Sequence, residues 1–349
     1  KFGSWLEPLR TYRLNHPSHP AFDQDVTDDV AMDALYEKLG IEAAVGSTPC
    51  QDFTTLTEGK PNRHWVGGVT FKVIGRWVRH RVKLCVLENV PRMVTKPYDE
   101  WVEALRVWQT THIVVILTVF SSQVPPSGLK NIPVACQARE RIYAVGILRS
   151  LAGAESIAEM LLGMGAELAT LPHATVGRYL PHVQSPYYSQ SRNPKVEFDL
   201  QKPHVTLTCT CSYVPVKERT RQKVLEKARS FTSWEDLHIL TITDYCTIMG
   251  FRKDRTFHPD LNRSQIGVQI GNAVTPCAMH WVFKSLARLH LFDFLLVAPR
   301  VVLPKPKWAW EYGAGEAHDG CVCPPRYLSA KQKAQKRVDI VWKRILEPM

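Results

Sequence analysis

No run of about 18 consecutive apolar residues occurs in this chain, so a membrane-spanning helix is excluded as the main reading. No N-terminal stretch has the basic, apolar and small-residue succession of a secretory signal. The nine cysteines form an odd set scattered over the whole length, which argues against a disulfide framework and for reduced thiols. Internal repeats are absent. Cysteine pairs at the spacing of roughly two to four residues that zinc sites favour are missing too. Cys209-x-Cys211 and Cys321-x-Cys323, with His204 and His318 nearby, stand closer than that and read as ordinary thiols. No metal-ligand set is assigned.

Acidic residues are the scarcer charge. Asp and Glu number 33 against 44 Lys and Arg, for a net +11, which suits a polyanionic partner because each phosphate contact releases condensed counterions. With 45% hydrophobic and 22% charged residues, a buried core is affordable and wholesale disorder is excluded. At 349 residues the chain exceeds the common single-core size of about 100 to 150, which suggests one large α/β domain and a smaller lobe.

The first residues read as a helix ending near Leu14, and Asp28 to Gly40 reads as another, closed by its glycine. A short apolar run, Ile41 to Val45, then meets Gly46-Ser47-Thr48-Pro49-Cys50-Gln51. The spacing predicts a helix over Gly67–Arg79, a strand over Lys83–Leu87 ending on Glu88-Asn89-Val90-Pro91, a helix over Tyr98–Thr110 and strands at Ile113–Phe120 and Ile142–Ile147. This alternation implies a doubly wound sheet with ligands at the carboxyl ends of its strands. From Pro172 to about Arg229 the rhythm is lost, prolines multiply, and ten basic residues stand against four acidic ones from Arg178 to Arg229, as in an irregular lobe facing phosphate. A helix returns at Ile242–Gly250, and Asn272 to Leu289 reads as one long helix entered through Gly271. The tail from Val297 is basic and Pro-rich, then helical near Lys331–Ile345; its Lys331, Lys333, Lys336 and Arg337 read as a solvated face.

Four signals stand in order: Pro49-Cys50-Gln51, Glu88-Asn89-Val90, Gln137-x-Arg139-x-Arg141, and Gly271-Asn272-Ala273-Val274-Thr275-Pro276. Together they resemble the DNA cytosine-5 methyltransferase family, over about Tyr12 to Val282, with Asn15-His16-Pro17, Asp25-Val26 and Leu240–Phe251 adding to the likeness. The pattern departs from the family at Ala135-Cys136, where Gly or Val and Pro are usual, and at Ile242-Thr243-Asp244, where Pro-Arg-Glu is common.

The residue types also make chemical sense. Cytosine C5 is too weak a nucleophile to take a methyl group directly, so a thiolate must add to C6, and Cys50 is the candidate. A thiol with a pKa of about 8.5 needs positive neighbours or a helix N-terminus to ionise at neutral pH, and Arg139 and Arg141 could supply the charge. Glu88, as an acid at N3, would relieve the electron density pushed onto the ring. The resemblance implies that Gln51, Asn89 and Gln137 bind substrate and that Arg141 holds cytosine O2. It also implies that Asp25, Pro49, Asn272 and Val274 line the site of S-adenosyl-L-methionine, the methyl donor. A cytosine in a duplex must be flipped out to be reached, and Thr54–Asn62 is where the family has a segment that closes over the base.

The expected protein is therefore a DNA (cytosine-5-)-methyltransferase of Rossmann-like α/β fold, with helices on both faces of its sheet, acting on double-stranded DNA and not at a membrane. Its expected parts are a catalytic α/β domain over 1–171, a target-recognition lobe over 172–234, a return to the catalytic domain over 235–295 and a basic extension over 296–349. In a eukaryote the nucleus is the expected compartment, otherwise the cytoplasm or nucleoid. The related tRNA cytosine-5 methyltransferases share these motifs but carry a Cys-Phe-Thr tripeptide absent here, which favours DNA. The family's first strand, with its Gly-containing loop and ribose-holding acid, has no counterpart. The expectation is that a longer protein continues upstream of Lys1, and that residues 1–349 alone bind the cofactor weakly, as would a DNA-binding remnant.

Overall fold

A computed structural model describes residues 6–19, 21–22, 24–50, 66–95, 99–126, 133–184, 187–189, 195–197, 199–204, 206–207, 222, 238–252 and 255–289. Gln51, the Thr54–Asn62 segment, the two Cys-x-Cys pairs, His318 and the basic tail lie outside these. In order, the elements are α1 (Leu6–Asn15), α2 (Asp29–Leu39), β1 (Ala43–Ser47), α3 (Val66–Arg79), β2 (Leu84–Asn89), α4 (Arg92–Thr95), α5 (Asp99–Gln109), β3 (His112–Phe120), β4 (Glu140–Leu148), α6 (Ala154–Ala169), α7 (Val176–Tyr179), β5 (Tyr187–Ser189), β6 (Lys195–Glu197), β7 (His238–Ile239), α8 (Ile242–Met249), α9 (Arg263–Asn272) and α10 (Pro276–Arg288). Four strands form a sheet in the order β1-β2-β4-β3, and a smaller sheet runs β6-β5-β7.

The chain divides into two compact units, and the division falls within β3 and β4. One unit comprises residues 18–114, 144–155 and the tail. In it α2 is defined by its ends: the Asp28 side chain accepts from the Ala31 N–H at 3.1 Å, and Gly40 closes the helix at φ 56°, a left-handed conformation that costs glycine little. β1 and β2 pair in parallel, with Ser47 opposite Glu88. All six side chains of β2 are buried, as expected of a strand covered on both faces. Trp77 of α3 and Trp108 of α5 are packed with ring centroids 5.4 Å apart. Gly146 of β4 lies against Trp108 so closely that an added Cβ would sit 2.5 Å from the indole. Along the other face of α3, Arg76 is buried and donates to Val26 O, Asp29 and Asp33, while Arg79 grips both oxygens of Asp33 at 2.8 and 2.7 Å. These contacts pin α2, whose own residues are all at least partly exposed.

The other unit comprises residues 1–17, 115–143 and 156–291. Its core joins Val134, Val176, Leu180 and Leu207 to Leu240, Tyr245, Ile248 and Ile270, so residues from the stretch read as an irregular lobe share one apolar cluster with α8 and α9. Asn15, at the end of α1, donates to Thr256 O at 2.7 Å and accepts from Thr256 N at 3.1 Å.

The sequence reading differs from this fold at four places. The long helix expected over Asn272–Leu289 is two helices: Asn272 ends α9, and α10 starts at Pro276. Proline lacks an N–H and forces the preceding residue out of helical geometry, and Thr275 is extended at φ −66°, ψ 118°. α9 itself was not anticipated; its start is fixed by a reciprocal cap between Asn262 and Gln265. α6 was likewise unread, although its run of Ala, Leu, Met and Glu is strongly helix-forming. β2 continues through Glu88 and Asn89, so these side chains belong to the strand and not to the loop after it.

Candidate active site

β1 and β2 bring the first two sequence signals to one place. Their parallel register sets Ser47 beside Glu88, so the loop Thr48-Pro49-Cys50 leaves its strand where the carboxylate ends the neighbouring one. Ser47 Oγ donates to Glu88 Oε2 at 2.6 Å, and Glu88 is only 5% exposed. Asn89 is buried and donates from Nδ2 to Thr48 O at 3.2 Å and to Thr48 Oγ1 at 3.1 Å, while its Oδ1 accepts from Val90 N. Thr48 Oγ1 in turn lies 2.8 Å from Thr70 Oγ1 on α3. The base of the cysteine loop is therefore fixed from two sides, by a strand amide and a helix hydroxyl. Ser47, Thr48 and Thr70 were not singled out from sequence; the direct adjacency of Ser47-Thr48 to Pro49-Cys50 was the available signal.

Pro49 and Cys50 are half-buried. Burial pushes the thiols of Cys136 and Cys246 up to about 12 and that of Cys277 to about 11, and it raises Cys85 as well. Thiols held neutral in this way are inert as nucleophiles at neutral pH. All five described cysteines are thiols and none is in a disulfide.

Asp25 is exposed in the same unit. Its Oδ1 accepts from Thr27 N and Thr27 Oγ1, each at 2.8 Å, and these bonds hold its pKa below the ordinary carboxylate value. Among the described residues it makes no bond to Pro49, Cys50, Glu88 or Asn89.

The third and fourth signals meet in the other unit. Gln137 is fully buried; its Nε2 donates to Met249 Sδ at 2.8 Å and its Oε1 accepts from Leu207 N at 3.2 Å. Arg139 is buried as well, and its guanidinium donates to Leu207 O at 3.0 Å and to Ala273 O at 3.1 Å. This ties the residue following Asn272 to the Gln137–Arg141 segment. Arg141, on β4, is partly exposed and donates to Glu140 O at 2.6 Å. Asn272 is exposed and Val274 half-buried, and the turn that carries them is closed by Thr275, which accepts from Ser121 Oγ at 3.0 Å. A strand, the α9–α10 turn and the Leu207 segment are thus cross-linked by two side chains, Gln137 and Arg139.

Residues 4–160 match the sequence profile described as C-5 cytosine-specific DNA methylase. None of the curated proteins matches the chain. Solved structures of similar fold include a mutant of DNMT2 from Spodoptera frugiperda, with a TM-score of 0.51 and 14% identity, covering 80% of this chain and 88% of that one. A protein assigned as a DNA modification methyltransferase, encoded within a prophage (E. coli), gives 0.52 and 15% over 81% and 90%. Dnmt2 methyltransferase of S. pombe gives 0.50 and 14% over 80% and 87%. At such identities the likeness is one of fold. The profile match spans residues 4–160, somewhat under half of the chain, and the mixed α/β fold is similar to that of these methyltransferase structures.

Proposed function

We propose that the protein transfers a methyl group to C5 of a cytosine flipped from double-stranded DNA, with Cys50 as nucleophile. The observation that carries this reading is the Ser47–Glu88 pairing at the ends of β1 and β2, which sets a buried carboxyl beside the loop presenting the half-buried thiol. Cys50 adds to C6 and makes C5 nucleophilic. Glu88, oriented by Ser47, hydrogen-bonds N3 and neutralises the charge that addition pushes onto the ring. Asn89 is locked to Thr48 at the base of the cysteine loop, and the family resemblance assigns Gln51 to the extruded base and Arg141 to O2. Gln137 and Arg139 act by bracing the segment that carries Arg141.

S-adenosyl-L-methionine, when bound, supplies an electrophilic methyl group. The exposed carboxylate of Asp25 suits an adenine amine as a hydrogen-bond acceptor, because its Oδ2 has no protein donor among the described residues. The family resemblance assigns Pro49, Asn272 and Val274 to the same cofactor. Loss of the C5 proton then expels Cys50.

DNA is favoured over tRNA by the missing Cys-Phe-Thr tripeptide; two of the similar folds are nevertheless DNMT2 proteins, so tRNA is the second reading. In a eukaryotic cell the proposed site of action is the nucleus. Methyl transfer from labelled S-adenosylmethionine to duplex DNA and to tRNA, measured side by side on the full chain, tests this. Preferential labelling of C5 in DNA supports it, and labelling of tRNA alone overturns the substrate assignment.

A further inference from the structure

At the point where the chain leaves for the 183–237 stretch and comes back, three side chains with metal-binding atoms converge. His182 lies just beyond α7, His238 opens β7, and Asp244 sits in the first turn of α8. One ligand atom from each, an imidazole nitrogen or a carboxylate oxygen, falls within 4.8 Å of the other two. His182 Nε2 is 2.6 Å from Asp244 Oδ1, and the two imidazoles meet edge to face at a centroid distance of 6.0 Å. We propose that His182, His238 and Asp244 form a binding site for a divalent transition-metal ion of the zinc class.

The carboxylate is prepared for this role. Asp244 Oδ2 is held by Thr241 N at 2.7 Å and Thr241 Oγ1 at 2.8 Å, so Oδ1 is the oxygen presented to the histidines. A ligand whose second atom is fixed by backbone and hydroxyl donors loses little freedom on binding, which is how outer contacts orient metal ligands. Asp244 is itself buried, His238 half-buried and His182 exposed. The ion would therefore rest on a fixed oxygen and be capped from solvent by the exposed His182. Zinc bonds of about 2.0 to 2.2 Å put tetrahedral ligands roughly 3.3 Å apart, so the 2.6 Å pair must open slightly, a change that rotation of exposed His182 accommodates. Two imidazoles and one carboxylate suit Zn²⁺, Co²⁺ or Ni²⁺, whereas Mg²⁺ and Ca²⁺ require all-oxygen shells. The remaining positions would be filled by water.

The placement gives the ion work to do. β5 and β7 run parallel, with Tyr187 opposite His238, so the ion would sit beside a pairing that already joins the chain after His182 to the chain at His238. A metal joining these residues cross-links positions distant in sequence, and loop-closure entropy makes such a cross-link count for more the longer the loop. His182 lies in the segment read as target recognition, and His238 and Asp244 in the catalytic return that follows it, so metal loading would tie the two segments together.

The test uses the metal-free full chain titrated with Co²⁺, comparing wild type with His182→Ala and His238→Ala. Exposed His182 can be removed without disturbing the core, and far-ultraviolet dichroism checks that both variants fold. The expected result is one site whose visible d–d absorption is present in wild type, lacks a thiolate charge-transfer band, and is weakened at least about tenfold in affinity in each variant. Zn²⁺ should displace the cobalt and raise the melting temperature of wild type more than that of His182→Ala. A wild-type-minus-variant difference spectrum without d–d bands, or one carrying a thiolate band, overturns the proposal and leaves His182 and Asp244 as a plain hydrogen bond.

Discussion

Cys50 differs from its fellow thiols by what surrounds it, and this makes its role testable by trapping. A duplex containing 5-fluorocytosine should be captured covalently at Cys50 and not at Cys246, whose thiol burial pushes up to about 12. Cys50→Ser should abolish transfer while leaving DNA affinity within about tenfold, since the hydroxyl is nearly isosteric but a far weaker nucleophile. Glu88→Gln should lower the single-turnover rate by roughly 10²-fold or more. Ser47→Ala should cost less than Glu88→Gln, because it removes only the hydroxyl that orients the carboxyl; an equal loss would show that Ser47 itself touches the base. Cys50, Glu88 and Asn89 were legible because each follows or ends an apolar run. The partners of Arg139 were not: they are backbone carbonyls at Leu207 and Ala273, and no local pattern marks a carbonyl so far along the chain.

Among the elements, β4 and α3 carry the sharpest expectations. Gly146→Ala should destabilise the fold by about 1 to 3 kcal/mol, the usual cost of overpacking, because its Cβ would enter the Trp108 ring; urea unfolding measures this, and a neutral result would mean that the indole can shift. On α3, Asp33 is held at a pKa of about 2, chiefly by its hydrogen bonds from Arg79. An unfolded carboxyl titrates near 3.9, so the stabilisation is complete above roughly pH 4 and disappears as pH falls toward 2. Asp33→Asn should therefore lower the melting temperature at pH 7 by an amount that shrinks between about pH 4 and pH 2. The elements that the sequence announced were those with local punctuation, such as α2 between Asp28 and Gly40 and α8 ending at Gly250. α9 escaped notice because its RSQIGVQIGN has two glycines and little apolar periodicity; its Asn262–Gln265 cap and its seat against Ile248 and Tyr245 hold it. The break before α10 was written in Pro276, and the reading ran the helix through it.

For the whole molecule, a net charge of +11 predicts that affinity for duplex DNA falls steeply with salt. Titrations between low and physiological ionic strength should give a straight line of log affinity against log salt. A flat line would mean that the basic residues face away from the phosphates. The same charge acts on contacts between copies of the chain. Among the described residues β1 is hydrogen-bonded only to β2, and its Val45 is half-exposed; wherever the opposite rim of Ala43–Ser47 is left uncovered, it offers main-chain donors and acceptors to any strand of suitable direction. Mutual repulsion keeps copies apart in dilute salt and is screened in concentrated salt. Solubility and nucleic-acid affinity should thus decline together as ions are added, for opposite reasons: one attraction is dissolved while another is unmasked. Light scattering across a salt series should show turbidity rising as DNA binding is lost, and Val45→Lys should delay the turbidity while leaving the salt dependence of binding unchanged.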